Sequence, residues 1–181
     1  TAEVTMAHDP QQWTREITED DYPLEFEYEE PDPSIYELID AVIEAFSEDR
    51  FVLGHFPLAQ EWVMPGGMER SLIEMVQHPE LMDRALRSTL ARAEMEQSHW
   101  VNQGIDGVID GTDFSFRSGT FMAPQMWRRW CAPAQKANAA AAHKAGLLFV
   151  QHSCGNNWKI LDDFIESGID CYQSIQASAS M

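Results

Sequence analysis

Apolar residues along this chain fall into two alternating rhythms. Ile35, Leu38, Ile39, Val42, Ile43 and Phe46 recur every three or four positions, the spacing of a helix with one buried face. Ser34 and Glu37 at its start predict a capping box, in which each side chain satisfies a free amide. Phe51-Val52-Leu53-Gly54-His55-Phe56 is a short continuous apolar run closed by Pro57, which predicts a buried strand. Pro65-Gly66-Gly67 leads into two helices, one carrying Leu72, Ile73 and Val76, the next Leu81, Met82, Ala85, Leu86, Leu90 and Ala93 with Gly104 closing it. Further strands are expected over residues 105–109, 147–151 and 169–175, with a long loop at 111–124. A helix over 125–144 ends at Gly146, and Pro133 must kink or split it. Residues 158–166 predict a short helix stopped by Gly168.

Strands that alternate with helical crossovers imply an α/β fold with a parallel sheet covered by helices. A doubly wound sheet and a (β/α)8 barrel both satisfy that order. No Gly-x-Gly-x-x-Gly follows a strand and no Walker loop is present, so a nucleotide-binding open sheet has no support. Residues 1–33 are acidic and punctuated by prolines, and read as a loosely packed arm ahead of a domain at 34–181. Phe26 and Tyr28, alternating with Glu25, Glu27 and Glu29, leave a short edge strand as the other reading of that arm.

Charge narrows the functional classes. The 181 residues hold 30 acidic and 12 basic side chains, a net charge of −18. Such a field repels nucleic acid and anionic membrane surfaces, so neither is an expected partner. No run of about 18 uncharged apolar residues exists, and no basic-then-apolar leader is visible at the amino end. Three cysteines at irregular spacing, Cys131, Cys154 and Cys171, fit reduced thiols in a cytoplasmic protein better than a disulfide framework. The chain opens at Thr1 and stops at Met181 directly after a strand-like run, which is the expectation for a fragment.

In either architecture ligands sit beyond the carboxyl ends of the strands. The residues there are His55, then 110–114, then His152-Ser153-Cys154-Gly155-Asn156-Asn157, then 173–178. His152 and Cys154 stand two apart at a strand end, so both side chains leave on one face. Imidazole and thiolate together form a natural zinc pair. The competing reading is a packed cysteine beside a hydrogen-bonded histidine. Asp113 suits a capping role as well as a catalytic one. Cys131 and Cys171 are read as core residues, and His78, His99 and His143 as solvated or interhelical.

The blocks Asp106-Gly107-Val108-Ile109-Asp110-Gly111-Thr112-Asp113-Phe114, Gly119-Thr120-Phe121-Met122-Ala123-Pro124-Gln125-Met126-Trp127-Arg128-Arg129-Trp130-Cys131-Ala132-Pro133, His152-Ser153-Cys154-Gly155-Asn156 and Ile160-Leu161-Asp162-Asp163-Phe164-Ile165-Glu166-Ser167-Gly168-Ile169-Asp170 resemble the uroporphyrinogen decarboxylase superfamily, in the same order. The resemblance runs from about Phe51 to Met181. It implies a (β/α)8 barrel, and with four strands against about 250 residues for a whole barrel, roughly half of one. Within that superfamily the His-x-Cys positions, here His152 and Cys154, match those that hold zinc in corrinoid-dependent methyltransferases, with a distant third Cys expected beyond Met181. The resemblance also implies a corrinoid carried by a partner protein, a small-molecule substrate, a catalytic role for Asp113, and substrate or cofactor contacts at His55 and Gln176. The other branch is the decarboxylase of haem biosynthesis, which must hold an acidic tetrapyrrole. Net charge opposes that unless Arg117 or Arg128 forms a basic spot, and an Arg-Gln-Ala-Gly-Arg-type signature is absent. A catalytically silent barrel relative, and an interaction protein whose acidic arm docks a basic partner, are the further alternatives.

Overall fold

The computed structural model describes residues 15–55, 57–99 and 104–181. Four strands, β1 (Leu53–Gly54), β2 (Gly107–Asp110), β5 (Leu148–His152) and β6 (Cys171–Gln173), form one parallel sheet in the order β1-β2-β5-β6, and a small antiparallel hairpin, β3 (Ser115–Phe116) and β4 (Gly119–Thr120), lies between β2 and β5 in the chain. Helices α1 (Glu37–Phe46), α2 (Gly67–Gln77), α3 (Pro79–Gln97), α4 (Pro124–Trp130), α5 (Ala132–Lys144) and α6 (Leu161–Glu166) supply the crossovers and the cover. The fold is α/β, with the strand order and connections of part of a (β/α)8 barrel.

Register divides the sheet into two faces. Val108 pairs with Phe149, and Asp110 with Gln151, which pairs with Tyr172; these side chains point toward the helices. Val108 and Phe149 pack there with Ala139 and Ala142 of α5. Leu53, Gly107 and Leu148 form a row on the opposite face, as do Ile109, Val150 and Cys171. That face stays open at Leu53, Leu148 and Cys171, all exposed. Cys171 is therefore a surface residue and not the buried one expected, because strand alternation turns it away from the helices. Cys131, by contrast, is fully buried as expected.

The second core lies beside the strand exits. Phe114, Trp127 and Phe164 are almost completely buried, with Phe114 edge-on to Trp127 at 5.7 Å and Trp127 5.5 Å from Phe164. Ile17 and Tyr22 of the acidic segment belong to the same cluster, and the Tyr22 hydroxyl donates to the Val63 carbonyl at 3.2 Å.

Pro133 splits the expected long helix. Cys131 separates α4 from α5, with the proline in the first turn of α5, where its missing N–H costs nothing. The cap of α1 differs from the expectation. Asp32, not Ser34, is the capping side chain: it accepts the Ser34 N–H at 2.9 Å and starts a 3₁₀ turn, Pro33–Tyr36, ahead of the helix. Helix α3 ends at Gln97, short of Gly104. The strand expected over 51–56 narrows to two residues, and Phe56 lies outside the described residues, as do residues 1–14 of the arm. Phe26 and Tyr28 are in no strand. The loop expected at 111–124 contains the β3–β4 hairpin, whose strands are too short for alternation to reveal. No helix among the described residues is long and apolar enough to cross a membrane.

Candidate metal-binding site

At the carboxyl end of β5 the chain must turn sharply beneath the hairpin. Gly155 makes that turn at φ +86°, where a Cβ would strike the Ser115 and Phe116 carbonyls. Only glycine fits both the angle and the space. Asn157, fully buried, ties the turn together: its amide donates to the carbonyls of Ser153 and Cys154 at 3.2 and 3.1 Å and to the Tyr172 hydroxyl at 2.9 Å. The Asn156 N–H donates to the Phe116 carbonyl at 2.8 Å, locking the hairpin over the turn. Burial pushes the Tyr172 hydroxyl above its ordinary value, so it stays protonated and donates to the Ser153 carbonyl at 2.8 Å.

This frame brings three donor side chains together on the open side of the sheet. Asp113 follows β2, His152 ends β5, and Cys154 lies two residues further on; one ligand atom from each falls within 4.8 Å of the others. The Cys154 sulfur is 3.4 Å from His152 Nε2, which is 3.9 Å from Asp113 Oδ1. The same carboxylate oxygen accepts the Cys154 backbone N–H at 2.6 Å, so Asp113 is both a turn partner and a donor candidate. One carboxylate thus holds the turn and faces the histidine at once.

Gln173 carries no signal of its own in the sequence, yet it decides the chemistry of His152. The two are register partners, and the His152 Nδ1 bonds to the Gln173 Oε1. A carbonyl oxygen can only accept, so Nδ1 is the donor, and in the neutral ring the Nε2 lone pair faces Cys154 and Asp113. A ring nitrogen held this way is ready to ligate a metal. Ser174, at φ +82°, places its hydroxyl 3.5 Å from the Cys154 sulfur. The window after the last strand contains both residues; selecting them requires the register between β5 and β6, which local pattern does not carry.

The remaining expected site residues occupy other positions. His55 directly follows β1 and is exposed, outside the donor triangle. The Gln176 side chain accepts the Gly155 N–H at 2.8 Å and donates to the Ser178 hydroxyl at 3.0 Å, bracing the glycine turn. The two arginines considered as a basic spot differ: Arg128 is paired with a carboxylate, whereas exposed Arg117 bonds only a neutral carbonyl and keeps its charge. Arg128 grips Asp163 with two bonds at 2.6 and 3.0 Å, and Arg117 donates to the Ser178 carbonyl at 3.0 Å. Of the histidines expected on helices, His143 lies in α5 and pairs with Asp170 at 2.7 Å, whereas His78, between α2 and α3, pairs with Glu74 at 2.5 Å and His99, past the end of α3, stacks on Tyr28 at 3.6 Å.

A buried acidic cluster, which no local pattern in the sequence marks, lies just beneath. Glu61 and Asp110 are 2% and 5% exposed, and the Gln135 amide donates to both, at 2.5 and 2.8 Å. Burial pushes the Glu61 carboxyl well above the usual carboxylate range, and the Asp110 charge adds to that. Burial likewise raises the Cys131 thiol, with Glu61 contributing. An open groove of about 730 Å³ between Tyr22, Phe26, Trp62 and α3 is lined by none of the three donors.

Comparison with known proteins adds one finding. A solved structure of a methyltransferase from Methanosarcina mazei is similar to this chain with a TM-score of 0.56 at 18% identity, covering 77% of this chain and 40% of its own. At that identity the likeness concerns the fold. The chain spans two fifths of that neighbour's length. No family model matches the chain, and no curated protein does.

Proposed function

We propose that the chain is part of a zinc-assisted methyltransferase of the uroporphyrinogen decarboxylase superfamily type, which moves a methyl group from a corrinoid on a partner protein to a thiol. The observation that carries the reading is the triangle of Asp113, His152 and Cys154 at the strand exits. A tetrahedral zinc with bonds of about 2.0–2.3 Å sets its ligand atoms about 3.3–3.6 Å apart. The separations of 3.4 and 3.9 Å here approach that spacing, and a sulfur, nitrogen and oxygen set suits zinc. The methyltransferase fold of the structural neighbour supports the same reaction class.

Asp113, His152 and Cys154 would hold the zinc, which would lower the pKa of a thiol bound to it. The chain's own residues do the rest. Gln173 holds the His152 tautomer, and the Cys154 N–H keeps Asp113 on the site. The Gly155 turn fixes Cys154, and the open sheet face leaves the triangle accessible from the side opposite the helices.

Zinc content of the purified protein tests this. The native chain is expected to hold one zinc and Cys154→Ala none; full occupancy in Cys154→Ala would overturn the proposal.

A further inference from the structure

The donors of the triangle come from two separate strand exits, so something must hold those exits at a fixed separation. Gln151 is the register partner of Asp110 and is fully buried on the helix side of the sheet. Its side-chain nitrogen donates to the Thr112 carbonyl at 3.0 Å and to the His152 carbonyl at 2.7 Å, with the Asp110 carbonyl at 3.4 Å. Thr112 immediately precedes Asp113, and His152 is itself a donor. One amide therefore joins the backbone of both donor-bearing segments.

We infer that Gln151 is a positioning residue of the Asp113–His152–Cys154 site, a buried amide that ties the β2 exit to the β5 exit. Thr112 is held from the other side as well. Asp110 accepts its N–H at 3.0 Å and its hydroxyl at 2.7 Å, and Glu61 stands 3.3 Å from that hydroxyl. With its N–H, hydroxyl and carbonyl all engaged, Thr112 leaves Asp113 little freedom except toward Cys154. The Gln151 Oε1 is buried without a partner, which is a desolvation cost. An apolar residue at this position would avoid that cost, so the sheet alone gives no reason for a glutamine there. The span between the two carbonyls gives one.

The importance of this brace for catalysis rests on the methyltransferase reading, but its geometry does not, and the test separates them. The Cys154 N–H reports directly on Asp113, which accepts it. Amide hydrogen exchange is measured on the native protein and on Gln151→Met, of similar volume but with no donor. Exchange at Cys154 should accelerate at least tenfold more than across Gly107–Asp110 in β2. Gln151→Asn, too short to span both carbonyls, should show the same local effect and decides the matter where the Met variant does not fold. Equal acceleration in β2 and at Cys154, no acceleration, or failure of both variants to fold would overturn the inference, since the residue would then serve the fold at large or nothing. A parallel zinc titration distinguishes the two ideas. A native protein that binds no zinc removes the functional reading and leaves the exchange result standing, whereas zinc binding with unchanged exchange at Cys154 removes the brace.

Discussion

Two neighbouring rows of the same sheet behave in opposite ways. Asp110, Gln151 and Tyr172 point to the helices, and each is held by several protein partners. One residue further along, His152 and Gln173 point to the open face, where Cys154 and Asp113 join them half-exposed or exposed. The first row uses its polar groups to hold the strands and loops together. The second keeps a lone pair, a thiol and a carboxylate in reach of solvent. A shift of one residue in register would exchange the roles, since side chains alternate between faces. Reactive potential here lies in the incompletely engaged groups, and the fully engaged ones next to them fix their geometry.

The largest effect that sharpens this contrast is expected on the helix side. Phe114→Ala removes a fully buried ring packed against Trp127 and Phe164 and should cost about 3–5 kcal/mol, read from urea unfolding. A smaller effect is expected at Glu61. Its folded carboxyl stays protonated above the usual range, so between about pH 4 and the raised value the native state binds more protons than the unfolded chain. Stability therefore falls as pH rises through that window. Glu61→Gln should flatten the fall, seen as a urea midpoint less sensitive to pH; an unchanged slope would mean that the carboxyl is ionised when folded. The smallest effect belongs to the open row. His152→Ala should change stability by less than about 1 kcal/mol while abolishing zinc binding, and a large loss of stability would erase the distinction between the rows.

Much of this architecture is legible in the chain. The period of Leu81, Met82, Ala85 and Leu86 marks α3, and Pro133 marks the boundary between α4 and α5. His152 and Cys154 are identifiable because strand alternation and a following glycine are local signals. The features that escape depend on distant pairing. Gln173 acquires its role only through the β5–β6 register, and Asp113, named in the sequence as a catalytic candidate, comes beside His152 and Cys154 because the hairpin and the Gly155 turn fold back on each other. Glu61 looks like one more surface acid in a chain of net charge −18, since burial of a carboxyl is set by its tertiary partners Gln135 and Asp110. Cys171 departs from its expected burial for a related reason. A short apolar strand does not say which of its faces the helices will cover.

X-ray absorption at the zinc edge reads out the ligand set of the triangle itself. A sulfur is expected at about 2.3 Å from zinc in the native protein, replaced by nitrogen or oxygen in Cys154→Ser. A native spectrum fitted by nitrogen and oxygen alone would contradict it.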